Sequence, residues 1–325
     1  MNISVRPYSD NDAKAWDDFC KGALQATLLH TRSFLSYHKE RFEDRSLIIV
    51  DEEKWLGLFP AALSLANEKF VVSHPGVTYG GLIHHGKLRG EKMIAALGAI
   101  RSHYATQGCT NLIYKLIPPF YHKAPAQDDS YALFRLGAVR TRCDLSSTID
   151  LQNRLPVSSR RRRGLKKAIK AGVEIVAGHH CLAAFWKVLQ DNLERKHGSE
   201  PVHNLEEIVL LAQRFPGNIR CLCAVEKDTV LAGVLLFITP TTYHAQYIAS
   251  SQAGYECSAL DMVFESAILA AQRESMRWFN FGISSENGGT LLNEGLFQFK
   301  AEFGAGSTVH EFFELDLIGD QHAVI

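Results

Sequence analysis

The first half of the chain alternates short apolar runs with amphipathic stretches. An alternating segment around Ile3 predicts a strand, and the spacing of Trp16 and Phe19 predicts a helix over about residues 10–21. The apolar runs that follow predict a hairpin and another strand, then a helix over about residues 88–106 and two more strands. This half therefore combines helices with strands that come in runs.

The second half repeats this order of elements. A helix over about residues 159–171 and the strand VEIVA are predicted first, and helices over about residues 182–195 and 204–216 come next. Three consecutive strands follow, and then a helix from about Ser258, a strand, a helix from about Thr290 and a last strand. The two halves are thus similar in the order of their elements.

Strands that come in runs, rather than in strict alternation with helices, are typical of an α+β fold. A chain of 325 residues is long enough for about two domains. Because the order of elements occurs twice, the sequence predicts two domains, residues 1–152 and residues 153–325. Near this boundary Pro156 and a pair of serines precede a run of basic residues.

The composition indicates a chain with a substantial core, since 46% of its residues are apolar and 22% are charged. The formal net charge is zero, so any attraction to nucleic acid or to a membrane must be local. No apolar run approaches the roughly 18–20 residues that span a bilayer, and the N-terminal residues lack the pattern of a secretion signal. Seven cysteines without C-x-x-C spacing fit reduced thiols. We therefore expect a soluble, cytoplasmic protein, with peripheral attachment to the inner membrane left open.

A run of small and polar residues separates two apolar elements between residues 279 and 306. In the strand that opens this segment, Asn280, Gly282 and Ser284 share one face, opposite the phenylalanines. Because Gly282 has no side chain, a ligand can approach the backbone closely on that face. The alternative is an ordinary glycine-rich turn.

The helix predicted after this strand carries polar residues among apolar ones. Its buried stripe is expected to consist of Leu292, Leu296, Phe299 and Phe303. Asn293 and Lys300 lie seven residues apart and so share a face, where we expect them to bind substrate. Gly295 costs roughly 1 kcal/mol relative to alanine inside a helix, which predicts a close contact there. The alternative is a surface helix with ordinary polar residues.

A second candidate site lies on the strand that contains His244. By the alternation of a strand, His244, Gln246 and Ile248 share one face, while Tyr243 and Tyr247 share the other. A histidine on a strand face that borders a cleft is a natural general base. The alternative is a buried core histidine with its hydrogen bonds satisfied.

This strand runs into a turn of small residues, Ser250–Gly254, before the helix expected from about Ser258. A helix N-terminus offers unbonded N–H groups and the positive end of the helix dipole. The turn therefore predicts a binding site for a phosphate or a pyrophosphate.

The stretch SSRRRRGLKKAIKAG predicts a helix with a concentrated basic face, formed by Arg163, Lys166, Lys167 and Lys170. Leu165, Ala168 and Ile169 are expected on its inner face. The basic face could hold a nucleotide-sugar diphosphate, a polyprenyl pyrophosphate headgroup or RNA. A nuclear import signal looks similar, and a solvated helix surface is a further alternative.

A polar loop provides the last candidates for substrate binding. Arg195, His197 and His203 lie close together, shortly before the helix that starts at Asn204. Polar residues on a loop beside a helix N-terminus are typical of binding sites, although a purely structural loop fits equally well.

No metal site is expected from the spacing of histidines and cysteines. His179, His180 and Cys181 are consecutive and lack partners at the spacing of a zinc site. Cys221 and Cys223 share one face of a strand and are most simply interpreted as core thiols.

Taken together, these motifs resemble those of a known family. They are Trp16 with His30–Leu35 in the first half, and Pro201–Asn204, Ala232–Val234, His244–Tyr247 and Phe281–Ser284 through Lys300 in the second. The chain resembles the tandem GNAT-like acyltransferases related to the Fem peptidoglycan aminoacyltransferases. More closely, it resembles the FemAB-related proteins, with a BioF2-like acetyltransferase domain, that are found with envelope polysaccharide genes.

The resemblance implies two tandem GNAT-like domains, each a mixed, mostly antiparallel sheet flanked by helices. It also implies an acyl-CoA donor whose pyrophosphate binds at the turn after the strand of His244, here with Ser251, Gly254 and Ser258. In that turn Gly254 is kept, but Ser251 replaces a basic or amide residue and Glu256 replaces a small one. A glutamate there would repel a pyrophosphate, which leaves donors other than acyl-CoA open.

The function that the resemblance implies is N-acyl transfer, of an acyl or aminoacyl group, to an amino sugar or peptide precursor of envelope polysaccharide or peptidoglycan. We assign catalysis to His244 as the base, with Gln246 and Ser284 as substrate ligands. Arg163 and Lys167 are expected to bind a phosphorylated glycan or peptide acceptor. One alternative is a strict Fem-type transferase that uses aminoacyl-tRNA, although zero net charge argues against a large RNA interface. The other is a non-catalytic binding protein on a degenerate GNAT frame, and the oligomeric state is left open.

Overall fold

The computed structural model describes residues 3–198 and 200–319, except for the side chains of residues 196 and 197. The chain divides into two compact units. The first unit comprises the described residues up to Asp144, with Glu286–Leu291 and the residues from Val309 onward. The second unit comprises Leu145–Ser285 and Leu292–Thr308.

The strands are, in chain order, β1 (Ile3–Pro7), β2 (Leu47–Asp51), β3 (Lys54–Phe59), β4 (Ala62–Leu63), β5 (Phe70–Val72), β6 (Ile83–His84), β7 (Asn111–Lys115), β8 (Val139–Asp150), β9 (Glu174–Ala177), β10 (Ile219–Glu226), β11 (Thr229–Ile238), β12 (Thr242–Ser250), β13 (Trp278–Ile283), β14 (Ser285–Glu286), β15 (Leu291–Leu292) and β16 (Gly306–Asp316). The α-helices are α1 (Ala13–Gly22), α2 (Arg32–Leu35), α3 (Glu91–Thr106), α4 (Asp128–Arg135), α5 (Ser159–Lys170), α6 (Leu182–His197), α7 (Leu205–Arg214), α8 (Gln252–Cys257), α9 (Ala259–Arg273) and α10 (Glu294–Ala301).

The first unit contains two groups of strands around one apolar core. Strands β1, β2, β3 and β6 form an antiparallel sheet in that order, and β4, β5, β7 and β16 are neighbours in a second sheet. Helix α3 buries Met93, Leu97, Ile100 and Tyr104 in the core, as the apolar spacing of this helix predicts.

The second unit is built on strands in the order β8, β13, β12, β11, β10 and β9. All neighbouring pairs are antiparallel except β12 and β13, which are parallel. Helix α9 packs its apolar residues against one face of the sheet. On the other face, Trp186 of α6 contacts Tyr247 with the ring centroids 5.1 Å apart. The predicted α+β class, with mixed and mostly antiparallel sheets flanked by helices, is confirmed.

A β-bulge in β12 changes which side chains share a face. Between β11 and β12 the register shifts, so that Leu236 pairs with Ala245 and Leu235 pairs with Tyr247. Gln246 is the extra residue, and an extra residue reverses the alternation of the residues beyond it. As a result Ile248 packs against the α9 core, whereas Tyr247 faces α6. The predicted grouping of His244 with Ile248 is therefore wrong.

Other differences concern the ends and faces of helices. The helix expected from about Ser258 is preceded by α8, which begins at Gln252, and α4 was not predicted. The predicted buried stripe of α10 is wrong for Leu292 and Leu296, each 39% exposed, although Phe303 is buried. Gly295 makes no close contact with the rest of the protein, since a Cβ there would meet only Asn293 Oδ1, at 3.8 Å.

Within the described part of the chain, no helix is long and apolar enough to cross a bilayer.

Two glycine substitutions in the second unit should have opposite effects on stability. A Cβ at Gly254 would lie 2.4 Å from the Leu231 carbonyl oxygen on β11, so Gly254→Ala should lower the free energy of unfolding by about 1–3 kcal/mol. Gly295→Ala has room and improves the helix propensity of α10, so it should raise that free energy by up to about 1 kcal/mol. Urea unfolding of both variants measures the difference, and equal effects would contradict the packing described for α8.

Candidate functional site

The parallel strands β12 and β13 separate shortly after they begin to pair. Their paired residues are Thr242–His244 with Trp278–Asn280. Beyond Asn280, Gly282 adopts a φ of 75°, a conformation that residues with side chains rarely take, and β13 turns away. Among the described residues no strand therefore pairs with this edge of β12 beyond His244. Such a gap leaves backbone groups of β12 available to a ligand.

The amide of Asn280 lies at the point where the strands part. It is completely buried, and its Nδ2 donates to Ser146 Oγ and Thr148 Oγ1, both at 2.8 Å. Its Oδ1 accepts from the Gly282 N–H at 2.9 Å and lies 2.7 Å from His244 Nδ1. Asn280 thus connects β13 with β8 on one side and with β12 on the other.

These contacts fix the protonation of His244. Because the atom of Asn280 that faces the ring is a hydrogen-bond acceptor, Nδ1 of His244 carries the hydrogen and Nε2 is the basic nitrogen. Burial lowers the pKa of His244 to about 4, while the hydrogen bond with Asn280 opposes this shift. At neutral pH the ring is uncharged, as a general base must be before it accepts a proton.

Lys300 reaches the same point from α10. It is 3% exposed, and its Nζ donates to the carbonyl oxygens of Gly282 at 3.1 Å and Ile283 at 2.5 Å. These carbonyls lie where β13 has left β12, so the ammonium group takes the place of a strand partner. Burial lowers the pKa of Lys300 to about 7, and its charge in turn lowers the pKa of His244. Lys300, predicted as a substrate ligand, therefore contacts the protein backbone through its amine.

Several buried polar atoms near these strands have no partner within the described residues. They are Ser284 Oγ, Gln246 Oε1 and the Trp186 Nε1–H. Unpaired buried polar atoms are rare and costly in folded proteins, and a bound ligand is one way of satisfying them. Two of the three belong to residues that the sequence assigned to catalysis, Gln246 and Ser284.

A cavity of about 420 Å³ lies at the far end of β12. It is lined by Arg160, Arg161, Arg163, Gly164, Lys167, Ser250, Gly254, Tyr255, Ser258, Leu260, Asp261 and Phe299. The sequence assigned the basic helix to the acceptor and the turn to the donor. The structure brings Arg163 and Lys167 together with Gly254 and Ser258 around one space.

The inner face of α5 differs from the predicted one. Arg161 is buried, its Nη1 donates to Asp261 Oδ2 at 3.1 Å, and its Nε lies 3.0 Å from Glu302 Oε2. Burial raises the pKa of Asp261 to about 6, against the effect of Arg161. Gly164 allows this packing, since a Cβ there would lie 2.5 Å from Asp261 Oδ1. Ile169, predicted on the inner face, is 59% exposed.

Helical spacing could have located this ion pair in advance. Arg161, Gly164 and Ala168 recur at intervals of three and four, which defines a face with one cation on it. The run of four arginines concealed the difference between Arg161 and its neighbours.

The turn itself uses some of its predicted ligands for local structure. Ser251 is the N-cap of α8, and its hydroxyl accepts from the Gly254 N–H at 3.1 Å. Ser258 joins α8 to α9 with a φ of 62°. Glu256, expected to repel a pyrophosphate, is exposed, accepts a hydrogen bond from Gln252 at 3.3 Å and is not among the residues that line the cavity.

Arg195 lies on the other side of the same turn. With Ser250, Ser251 and Gln252 it lines a second space of about 230 Å³, and its Nη1 donates to Gln252 Oε1 at 3.3 Å. The end of β12 therefore has a cationic side chain on each side.

The remaining predicted ligands are dispersed. His203 is buried, with its Nδ1 2.6 Å from the Tyr247 hydroxyl. Asn293 caps α10 by accepting from the Leu296 N–H at 3.0 Å. The side chain of His197 lies outside the described residues.

Comparison with known proteins agrees with this geometry. A family model described as an acetyltransferase (GNAT) domain matches residues 157–300, which include α5, β12, β13 and Lys300. This stretch is therefore similar to GNAT-type acetyltransferase domains. The sequence as a whole matches no curated protein.

The GNAT-type fold extends over the whole chain in solved structures of low sequence identity. FemX has a TM-score of 0.67 at 12% identity and covers 97% of both chains. L-PGS from Bacillus licheniformis has a TM-score of 0.61 at 12% identity, covering 98% of this chain and 95% of that one. A tandem GNAT protein from the clavulanic acid biosynthesis pathway has a TM-score of 0.51 at 12% identity, covering 98% and 100%. The tandem GNAT-like fold expected from the sequence is confirmed.

The protonation of His244 can be measured directly. Nitrogen-15 NMR should show a neutral ring at pH 7 with the hydrogen on Nδ1, titrating near the low pKa of about 4. Asn280→Asp places a carboxylate beside Nδ1, favours the imidazolium form and should raise that pKa. Asn153→Asp adds the same charge at an exposed position and should leave the titration unchanged. A wild-type ring that titrates near 6.5 would contradict the buried hydrogen-bonded geometry.

Proposed function

We propose that the protein is an N-acyltransferase that moves an acyl group from a coenzyme A thioester to an amino group of an envelope polysaccharide or peptidoglycan precursor. The observation that carries this proposal is the cavity in which Arg163 and Lys167 face the turn at the end of β12. Charge-assisted contacts from arginine and lysine to phosphate are strong, and the cavity is open to solvent on α5. The donor in this proposal is cytoplasmic, as is the location expected from the sequence.

The position of the cavity relative to His244 fits an elongated donor. Ser250 lies six positions after His244 on β12, or about 20 Å along the strand. A donor with its phosphates at Arg163 and Lys167 can extend along the unpaired edge of β12, where its amide groups can pair with the backbone. Its acyl end then lies beside His244.

The proposed reaction is direct attack of the amine on the thioester carbonyl. A C–N bond forms, the C–S bond breaks, and the proton lost by the amine goes to His244 Nε2 and then to the leaving thiolate, which is released as the thiol. The bulge keeps the Gln246 N–H out of the ladder with β11, so this N–H can donate to the oxyanion. Asn280 holds the imidazole in place, and Lys300 keeps β13 apart from β12.

The acceptor in this proposal is an amino sugar or a peptide. Ser284 Oγ, Gln246 Oε1 and the Trp186 Nε1–H are buried and lack partners in the described residues, which suits a ligand rich in hydroxyl or amide groups. His203 and Tyr247 add a hydrogen-bonded pair at the same strand.

A second candidate donor is aminoacyl-tRNA. It is favoured by the exposed cations of α5 that do not line the cavity, Arg162, Lys166 and Lys170, because an RNA backbone could contact them as well. The two donors differ in how many cations of α5 they use, which makes them separable.

Two double variants with the same change of charge distinguish binding of coenzyme A in the cavity from its general attraction to the positive charge of α5. Arg163→Gln/Lys167→Gln should weaken binding of coenzyme A at least about tenfold, since each lost charge-assisted contact contributes about 1.5–3 kcal/mol and 1.4 kcal/mol is tenfold. Lys166→Gln/Lys170→Gln removes two charges from the same helix outside the cavity and should leave affinity nearly unchanged. Isothermal titration calorimetry at two salt concentrations measures both.

The results of these titrations distinguish a coenzyme A thioester from aminoacyl-tRNA as the donor. Equal weakening by both pairs, together with tighter binding of an aminoacyl-tRNA acceptor-stem fragment than of coenzyme A, would replace the first donor by the second. Absence of binding by either ligand would refute a donor site in this cavity.

A substitution of His244 tests the proposed base. His244→Gln keeps a donor toward Asn280 but cannot accept the amine proton, so turnover should fall at least about 10²-fold with little change in coenzyme A affinity. Release of free thiol from acetyl-CoA, in the presence of amino-sugar and peptide acceptors, measures turnover. His103→Gln, in the first unit, is the control and should behave like the wild type. Full activity in His244→Gln, or a large loss of stability without a specific loss of turnover, would return His244 to a structural role.

A further inference from the structure

Three cysteine thiols from separate parts of the chain converge in the second unit. The Sγ atoms of Cys181, Cys221 and Cys223 all lie within 4.8 Å of one another, and those of Cys221 and Cys223 are 3.6 Å apart. All three residues are buried. The cysteines of the described residues are free thiols, so none of the three is already used in a disulfide.

The fold explains why these thiols meet. Cys221 and Cys223 are two residues apart on β10 and so project from the same face of the sheet. Their neighbours Leu222 and Ala224 belong to the core under α9, which places the thiols on the opposite face. Cys181 is the N-cap of α6 and ends a 3-10 turn that is tied to β10 by the Gly178 N–H, which donates to the Cys221 carbonyl at 3.0 Å.

The geometry matches a thiolate metal site. Zn–S bonds of about 2.3 Å place the sulfur atoms of a trigonal or tetrahedral site about 3.7–4.0 Å apart. The observed triangle, with one side of 3.6 Å and none above 4.8 Å, needs shifts of less than about 1 Å to reach those distances. The N-terminus of α6 favours a thiolate at Cys181 through its dipole.

The cluster lies close beneath an exposed part of the chain. His179 and His180, which directly precede Cys181, are exposed. The His180 ring folds over Gly178, whose carbonyl accepts the hydrogen bond of the Cys181 thiol at 2.9 Å. One turn of chain thus separates the thiols from solvent.

We propose that Cys181, Cys221 and Cys223 bind one thiophilic divalent metal ion of the zinc class as thiolates. Binding releases the thiol protons and joins the start of α6 to β10, so it stabilises the second unit. The site is independent of the acyl transfer proposed above, because it lies on other residues than the cavity and His244. Sequence spacing concealed it, since forty residues separate Cys181 from Cys221.

Cadmium is the probe for this site, because cadmium thiolates absorb in the near ultraviolet. The full chain is reduced, stripped with a chelator and titrated with Cd²⁺, and the metal content of desalted protein is measured after loading with Zn²⁺. One equivalent of each ion should bind, and Zn²⁺ should raise the melting temperature. Cys181→Ala and Cys223→Ala should each weaken binding at least about 100-fold, since even outer partners of metal ligands contribute 10–100-fold.

Cys109→Ala removes an equally buried thiol from the first unit and should bind like the wild type. Circular dichroism of the stripped proteins shows whether each variant is folded, and Cys181→Ser replaces Cys181→Ala if the latter is not. Failure of the wild type to bind one equivalent, or undiminished binding by both ligand variants, would overturn the proposal and leave the three thiols as core packing.

Discussion

The buried amide of Asn280 is the interaction on which the second unit depends. Its Nδ2 bonds to Ser146 and Thr148 on β8, and its Oδ1 bonds to the Gly282 N–H and to His244. A buried amide with its hydrogen bonds satisfied stabilises the fold, whereas the loss of one partner leaves a desolvated group and costs about 1–3 kcal/mol. The same amide sets the tautomer of His244. Asn280 therefore contributes both to the stability of the fold and to the protonation state of His244.

The geometry around β12 follows from two local irregularities. The bulge at Gln246 reverses the alternation of side chains, so the first part of the strand presents His244 and the second part presents Tyr247 toward α6. The turn at Gly282 takes β13 away from β12, and Lys300 satisfies the carbonyls that this leaves. Regular strands would have closed the gap with backbone hydrogen bonds. The gap exists because both strands depart from the ideal ladder.

The sequence predicted the features that depend on local patterns of residues. It missed the features that depend on contacts between residues far apart in the sequence. The order of elements and the burial of α3 follow from periodicity and strand alternation. The bulge did not, because one extra residue leaves no signal in the apolar pattern of β12. Arg161 looked like its neighbours, although α5 turns it toward Asp261 and Glu302. The convergence of Cys181 with β10 depends on a contact across forty residues, which spacing rules do not include.

The buried ion pair of α5 differs in environment from the exposed charges that line the same cavity. Arg161 lies between Asp261 and Glu302, away from solvent, while Arg163 and Lys167 are exposed at the rim. Exposed charges farther apart than the Debye length, about 3 Å at 1 M salt, are largely screened from each other, whereas buried pairs are screened much less. Concentrated salt should thus weaken the attraction of Arg163 and Lys167 for the proposed anionic donor, while α5 stays in place on α9. A crystal grown from such a solution would contain an intact cavity, ready to be refilled after transfer to low salt.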